Sequence, residues 1–115
     1  MKLITKAQLE KLIANGKETA RLEGDTNHKP VVKLFHPVGA ATWLLTEVLP
    51  DDDTVAFGLC DLGMDAPELG YVSLDELKAV KGPLGLGVER DLHFEADKSI
   101  SDYALEARRY GRIVA

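Results

Sequence analysis

The residue types best suited to chemistry alternate along one short segment near the end of the chain. Residues 88–95 predict a β-strand, and one face of that strand would carry Glu89, Asp91 and His93. Carboxylates and an imidazole on one face could ligate a divalent metal or act as acid and base. Because no second histidine or cysteine stands at ligand spacing, we interpret this surface as the solvated face of an edge strand, and we predict no metal and no cofactor.

Two other charged residues each stand alone among apolar neighbours. In the predicted strand 42–49, Glu47 alternates with Trp43 and two leucines, and in the last strand Arg90 alternates with Val88 and other apolar residues. A buried charge without a partner is costly, whereas an arginine paired with a carboxylate is tolerated. We therefore predict that Glu47 and Arg90 form a buried ion pair that fixes the fold. The functional alternative is a polarised carboxylate in a pocket.

Two glycines occupy what should be neighbouring strands. Gly58 and Gly70 would both lie on the face opposite Phe57 and Tyr71. Glycine within a strand often marks the close approach of another backbone or of a ligand. The pair could line a shallow groove, but we favour a helix that packs closely there.

The single cysteine, Cys60, could act as a nucleophile with His36 or His93 as its base. A lone cysteine in an apolar strand is much more often a small buried hydrophobic residue, so we predict that Cys60 is inert and largely buried. One cysteine excludes an intrachain disulfide, which fits a reducing compartment. We expect a cytoplasmic protein.

Charge is unevenly distributed along the 115 residues, whose net charge is −5. Residues 1–50 hold seven basic and five acidic residues, or +2, whereas residues 51–115 hold seven and fourteen, or −7. Nonspecific nucleic-acid binding needs clustered cations, so an acidic chain is poorly suited to it. The best candidate for a local basic patch is the set Arg108, Arg109 and Arg112.

The elements that would position these residues predict one α+β domain. Helices should begin near Thr5, Ser73 and Ile100, and the first two have a Gln or Glu three residues later that completes a capping box. Asn15-Gly16 is expected to end the first helix. Alternating or β-branched segments predict strands at residues 31–36, 42–49, 54–62, 69–72 and 88–95. Their short connections favour an antiparallel sheet of four to five strands with flanking helices in a single domain.

Apolar residues make up 45% of the chain, which is enough for a core in a domain of this size. No segment approaches the roughly 18 apolar residues that a membrane span requires. We therefore expect a soluble protein with no membrane partner.

Three segments resemble an uncharacterised bacterial family, the domain of unknown function 2958. They are residues 1–6 (MKLITK), 68–77 (ELGYVSLDEL), and 82–86 (GPLGL) leading to 89–94 (ERDLHF). Trp43, Thr46-Glu47 and Phe57-Gly58 resemble the middle of the family. The resemblance extends to about residue 95, so we divide the chain into a family-like domain at 1–98 and a C-terminal helix at 99–115 that packs on or extends it. It implies a small stand-alone protein often carried on plasmids and integrated mobile elements, and it implies no activity.

Function stays open between different classes. We expect a non-enzymatic accessory or regulatory protein of a bacterial mobile element that binds a protein partner, since no catalytic set here has a specific spacing. The alternatives are a small hydrolase-like enzyme that uses carboxylates and a histidine, or a nucleic-acid-associated protein. An exposed apolar patch would support partner binding, and a deep pocket with convergent carboxylates would support chemistry.

Overall fold

The chain folds into one antiparallel sheet with helices on both of its faces. The computed structural model describes residues 2–115, and Met1, which opens the first segment of resemblance, lies outside the described residues. The elements are α1 (Lys6–Arg21), β1 (Val32–Phe35), β2 (Thr42–Leu49), β3 (Asp52–Asp61), β4 (Glu68–Ser73), α2 (Leu74–Ala79), β5 (Glu89–Arg90) and α3 (Ile100–Tyr110). A short 3-10 turn at Pro83–Gly85 lies between α2 and β5. The predicted α+β class and the antiparallel sheet are confirmed.

The five strands lie in the order β4-β3-β2-β1-β5, and all of their pairings are antiparallel. Short connections join β1 to β2, β2 to β3 and β3 to β4, so these four strands form a meander. After α2 the chain crosses to the edge of the sheet opposite β4, where β5 pairs with β1. The two edges therefore belong to β4, with six residues, and to β5, with two.

The first of two hydrophobic cores lies between the sheet and helices α1 and α2. Its buried side chains alternate along the strands, as expected for one face of a sheet. They are Leu12, Val32, Leu34, Trp43, Leu45, Val48, Ala56, Leu74 and Leu77.

The second core lies on the opposite face, between the sheet and α3. Leu44 and Leu59, which are paired across β2 and β3, contact the apolar side of α3 there. The helix contributes Ile100, Tyr103, Ala104 and Ala107, and Ile113 follows from the chain beyond it. Because α3 seals one face of the sheet, it is an integral part of the fold.

Helix α1 begins as predicted but does not end where the sequence suggests. The capping box is present, with Thr5 and Gln8 each accepting a hydrogen bond from the other's backbone. The helix then continues through Asn15 and Gly16 to Arg21. Both residues are buried because they pack against β2, so their role is to allow close contact and not to stop the helix.

Irregular pairing in β2 changes which of its side chains face α1. The register against β3 shifts between Leu45 and Glu47 and again between Val48 and Leu49. A β-bulge moves the following residues to the other face of a strand. Val48, and not Glu47, therefore joins Trp43 and Leu45 in the first core.

The last strand is shorter than its sequence pattern predicts. β5 comprises only Glu89–Arg90, and the chain turns immediately afterwards. Leu92 is 64% exposed, whereas Phe94 packs against the second core. The expected alternation from 88 to 95 therefore fails beyond Arg90.

None of the helices within residues 2–115 is long and apolar enough to cross a lipid bilayer. The longest, α1, has only 16 residues.

Candidate functional site

The structure separates the two charges that the sequence predicts to pair. Arg90 stands opposite Leu34, whose side chain belongs to the first core, so Arg90 lies on the face covered by α1. Glu47 stands opposite Phe57, which alternates with the core residue Ala56 and therefore faces the other way. The sheet lies between the two side chains.

Each of these charges has a different partner. The Arg90 guanidinium donates a hydrogen bond to the backbone carbonyl of Lys2, and Glu47 Oε1 accepts one from the Thr46 hydroxyl at 3.3 Å. No ion pair joins Glu47 to Arg90 among the residues described. The structure therefore contradicts the predicted ion pair, because the bulge in β2 reverses the face that Glu47 occupies.

Of the three residues of the predicted polar face, Asp91 has the most clearly defined side-chain contacts. Its carboxylate accepts a hydrogen bond from the His93 backbone N–H at 2.9 Å and lies 3.4 Å from the Lys33 ammonium. The hydrogen bond from His93, followed by the charge of Lys33, lowers the pKa of Asp91. Glu89 is half-buried in β5, whereas the exposed His93 lies in the turn after it. The three residues thus do not form one strand face.

A cleft of about 710 Å3 separates this segment from α3. Its charged groups are largely paired with one another. The Lys98 ammonium lies 3.2 Å from Glu106, and the Tyr103 hydroxyl donates to Asp97 at 2.9 Å. Burial raises the pKa of Tyr103, so the phenol keeps its proton and stays a donor.

This cleft does not assemble an evident catalytic centre. Within residues 2–115, no cluster of three or more His, Cys, Asp and Glu side chains has the arrangement needed to hold a metal ion. Of the carboxylates that line the cleft, Asp91 is engaged by Lys33 and by the His93 backbone N–H, and Glu106 is engaged by Lys98. The arrangement fixes the loop after β5 against β1.

Gly58 and Gly70 are paired across β3 and β4, which are neighbouring strands as predicted. A Cβ at Gly58 would lie 1.9 Å from the backbone oxygen of Leu44 and 2.8 Å from its carbonyl carbon, whereas one at Gly70 would contact nothing within 4 Å. Gly58 is therefore required by the close approach of the β2 backbone, and not by a helix as we expected. Gly70 leaves open space beside β4.

Cys60 is partly buried, and its burial raises the pKa of the thiol. His36, one of its two proposed bases, is engaged elsewhere. The His36 Nδ1 accepts from the backbone N–H groups of Val38 and Gly39, and Nε2 lies 3.1 Å from the Leu86 carbonyl oxygen. Two donors on Nδ1 place the ring proton on Nε2, so His36 joins two loops and is not available as a base for Cys60.

Two buried polar residues that the sequence analysis does not single out hold neighbouring segments of the fold together by hydrogen bonds. Asp61 is 3% exposed and accepts hydrogen bonds from the backbone N–H groups of Gly63 and Ile113. Asn15 is 5% exposed and donates to the Thr46 carbonyl at 2.9 Å, beside the bulge. In the sequence, each of them is a polar residue within an apolar segment. That pattern indicates burial but does not show which group the side chain will hydrogen-bond.

The outer edge of β4 is the most distinctive exposed surface of the sheet. Its six residues pair with β3 on one side, and no strand of the described chain pairs with the other. Tyr71 is 66% exposed and Leu69 is 39% exposed. Tyr71 packs edge-to-face on Phe57 with ring centroids 5.1 Å apart. We call the outer backbone of β4 with Leu69, Tyr71 and Phe57 the β4 surface.

Helix α3 borders this surface. Arg108 lines a hollow of about 460 Å3 together with Leu69 and Glu68. Leu105, one turn earlier on α3, is 62% exposed. An arginine and apolar side chains thus stand beside an unpaired strand.

Comparison with known proteins identifies a family and no function. The model of a family described as a protein of unknown function, DUF2958, matches residues 3–114. The match includes α3, so the expectation that the similarity ends near residue 95 is wrong. No curated protein and no solved structure matches the chain.

Proposed function

The chain belongs to the DUF2958 family of proteins of unknown function, and from its surfaces we propose that it is a non-enzymatic protein that binds a protein partner through β4. The observation that carries this proposal is the open β4 edge with its exposed Tyr71 and Leu69. An unpaired edge offers backbone N–H and C=O groups to an extended segment of another chain, and neighbouring side chains then select that segment.

Most of the devices that usually protect an edge strand are missing from β4, whose only formal charge is Glu68 at its first position. Natural edges are shortened, bulged, or interrupted by lysine or proline. β4 pairs with β3 in an unbroken register over six residues, and its sequence, ELGYVS, contains neither lysine nor proline. By contrast, β5 at the other edge has only two residues. A surface left open in this way is suited to strand addition.

The partner segment would be extended, with apolar side chains that contact Tyr71 and Leu69. The acidic second half of the chain, at −7, favours a partner whose surrounding surface is basic. We further propose that the protein is cytoplasmic, in keeping with its single cysteine, and that it is an accessory or regulatory protein of a bacterial mobile element, which is the genetic context that the family resemblance implies. Nucleic acid is a weaker candidate partner, since the net charge of −5 opposes it.

Affinity purification from the native host, with a point variant in β4, tests this proposal. A protein should co-purify in a stoichiometric amount with the wild-type chain and not with Tyr71→Lys, which places a charge on the edge. Leu92→Lys is the matched control, because Leu92 is 64% exposed and lies beyond β5, at the other edge of the sheet. Equal recovery of the partner by all three chains, or the absence of any stoichiometric partner, would contradict the proposal.

A further inference from the structure

A second cleft, distinct from the β4 surface, lies on the sheet face that carries α1 and α2. It has a volume of about 730 Å3, within the range of sites that hold small organic ligands. Its walls are the chain leading into α1 and the first turn of that helix, helix α2, the beginning of β3 and strand β5. We call it the α1–β5 cleft.

The lining of this cleft is apolar on one side. The apolar side chains come from three separate parts of the chain and include residues packed against the first core. They are Leu3, Ile4, Leu9, Leu74 and Val88. A ligand in contact with them would bury aliphatic surface, at a gain of roughly 25 cal/mol per Å2.

Four cations surround these apolar side chains. Lys2, Lys6, Lys78 and Arg90 all line the cleft. Within residues 2–115, none of the four makes a salt bridge. Arg90 is held in place by its hydrogen bond to the Lys2 carbonyl. A concentration of positive charge in a chain of net charge −5 requires a physical reason, because like charges repel.

The two acidic residues at the cleft do not cancel that charge. Asp53 lies at the beginning of β3 and is exposed. Glu89 stands opposite Phe35 in β5, so its side chain belongs to the face opposite that of Arg90. The cleft therefore has a surplus of positive charge.

The other large cleft differs in this respect. Beside α3, Lys33 is paired with Asp91, and Lys98 is paired with Glu106. Of the three Lys and Arg residues that line this cleft, only Arg112 lacks a salt bridge, whereas within residues 2–115 all four cations of the α1–β5 cleft lack one.

We propose that the α1–β5 cleft binds a small amphipathic organic anion, with its aliphatic part against the leucine and isoleucine side chains and its carboxylate or phosphate between Arg90 and the lysines. Arginine provides directional donors to an oxyanion, and the lysine ammonium groups add charge. This site is separate from the β4 surface, so it does not depend on the proposed partner binding.

Nuclear magnetic resonance titration with simple probes tests the site directly. Decanoate and decyl phosphate, each below its micelle concentration, should saturably shift backbone amides of residues 2–9, 74–78 and 88–90. Decanol lacks the charge and acetate lacks the chain, so both should bind at least about tenfold more weakly. The relative affinity of decanoate and decyl phosphate distinguishes a carboxylate ligand from a phosphate ligand.

Variants that remove exposed cations locate the charge without disturbing the core. The double variant Lys6→Met with Lys78→Met should weaken decanoate or decyl phosphate binding by about three- to tenfold and should flatten its salt dependence. Lys17→Met is the control, since Lys17 is an exposed residue of α1 outside the cleft. The proposal is overturned if neither charged probe binds more tightly than decanol, if the shifts lie elsewhere, or if the double variant binds like the control.

Discussion

At the scale of single residues, position in the bulged sheet matters more than residue type. Gly58 and Gly70 share one rung of the β3–β4 ladder, yet only Gly58 faces a backbone at close range. Glu47 and Arg90, which look equivalent in sequence, end on opposite faces. Neither difference is visible in a pattern of alternation. The first arises because β3 lies beside β2 and β4 does not, and the second arises from the irregular register of β2.

The two glycines provide a matched test of this description. Gly58→Ala should destabilise the fold by about 1–3 kcal/mol, because its Cβ would overlap the Leu44 backbone and that backbone cannot move freely. Gly70→Ala should change the free energy of unfolding by no more than about 0.5 kcal/mol. Urea denaturation of both variants measures the difference. If the two variants lose similar amounts of unfolding free energy, the close contact between Gly58 and the β2 backbone is contradicted.

Asp91 provides a pH-dependent test. The pKa of its carboxylate is lowered in the folded protein by the His93 N–H and then by Lys33. Its stabilising contribution is therefore present above the unfolded pKa of about 4 and is lost as the pH falls through the lower folded value. Asp91→Asn should reduce the dependence of stability on pH in that range. A side-chain carboxyl titration of Asp91 with a midpoint at or above 3.8 would contradict this assignment.

At the scale of elements, the sequence predicts where helices begin more reliably than where they end. The cap at Thr5 forms as a complete box, and Ser73 accepts the expected hydrogen bond from the Glu76 N–H. These signals are local, so they can be identified without knowledge of the tertiary structure. The prediction that the helix ends at Asn15-Gly16 is wrong, because the role of these residues depends on contacts with β2, and Thr46 of that strand lies 31 residues after Asn15.

The contact between α1 and β2 explains both the continued helix and the bulge. The Asn15 amide donates to the Thr46 carbonyl next to the register shift. At Gly16, a Cβ would stand 1.9 Å from the Val48 carbonyl oxygen, so only glycine allows the helix to lie this close. The helix thus satisfies a backbone group beside the bulge.

Replacing Asn15 tests this junction between two elements. Asn15→Leu should lower stability by about 1–3 kcal/mol, because it leaves the buried Thr46 carbonyl without its donor. Lys17→Ala is the control, because Lys17 is exposed and lies in the same helix two residues after Asn15. It should leave the free energy of unfolding almost unchanged. Thermal or urea unfolding monitored by circular dichroism provides the comparison. If Asn15→Leu is as stable as the wild type, the hydrogen bond from Asn15 to Thr46 does not stabilise the bulge.

At the scale of the whole molecule, the three helices cover the sheet unequally. Helices α1 and α2 cover one face, and α3 covers the centre of the other over Leu44 and Leu59. The edge strand β4 is left with its outer backbone unpaired and Tyr71 exposed. The antiparallel α+β class was predictable from short connections and alternating segments. The open edge was not, since strand order depends on how α2 and β5 return across the sheet.

Hydrogen exchange at β4, with and without the co-purified partner, tests the central claim most directly. If an extended segment of the partner adds to this edge, outward-facing amides within Glu68–Ser73 become protected in the complex and remain fast-exchanging in the free protein. Tyr71→Lys should abolish that protection at the same partner concentration, while Leu92→Lys should retain it. Protection confined to α3 or to the α1–β5 cleft, with β4 unchanged, would contradict the account.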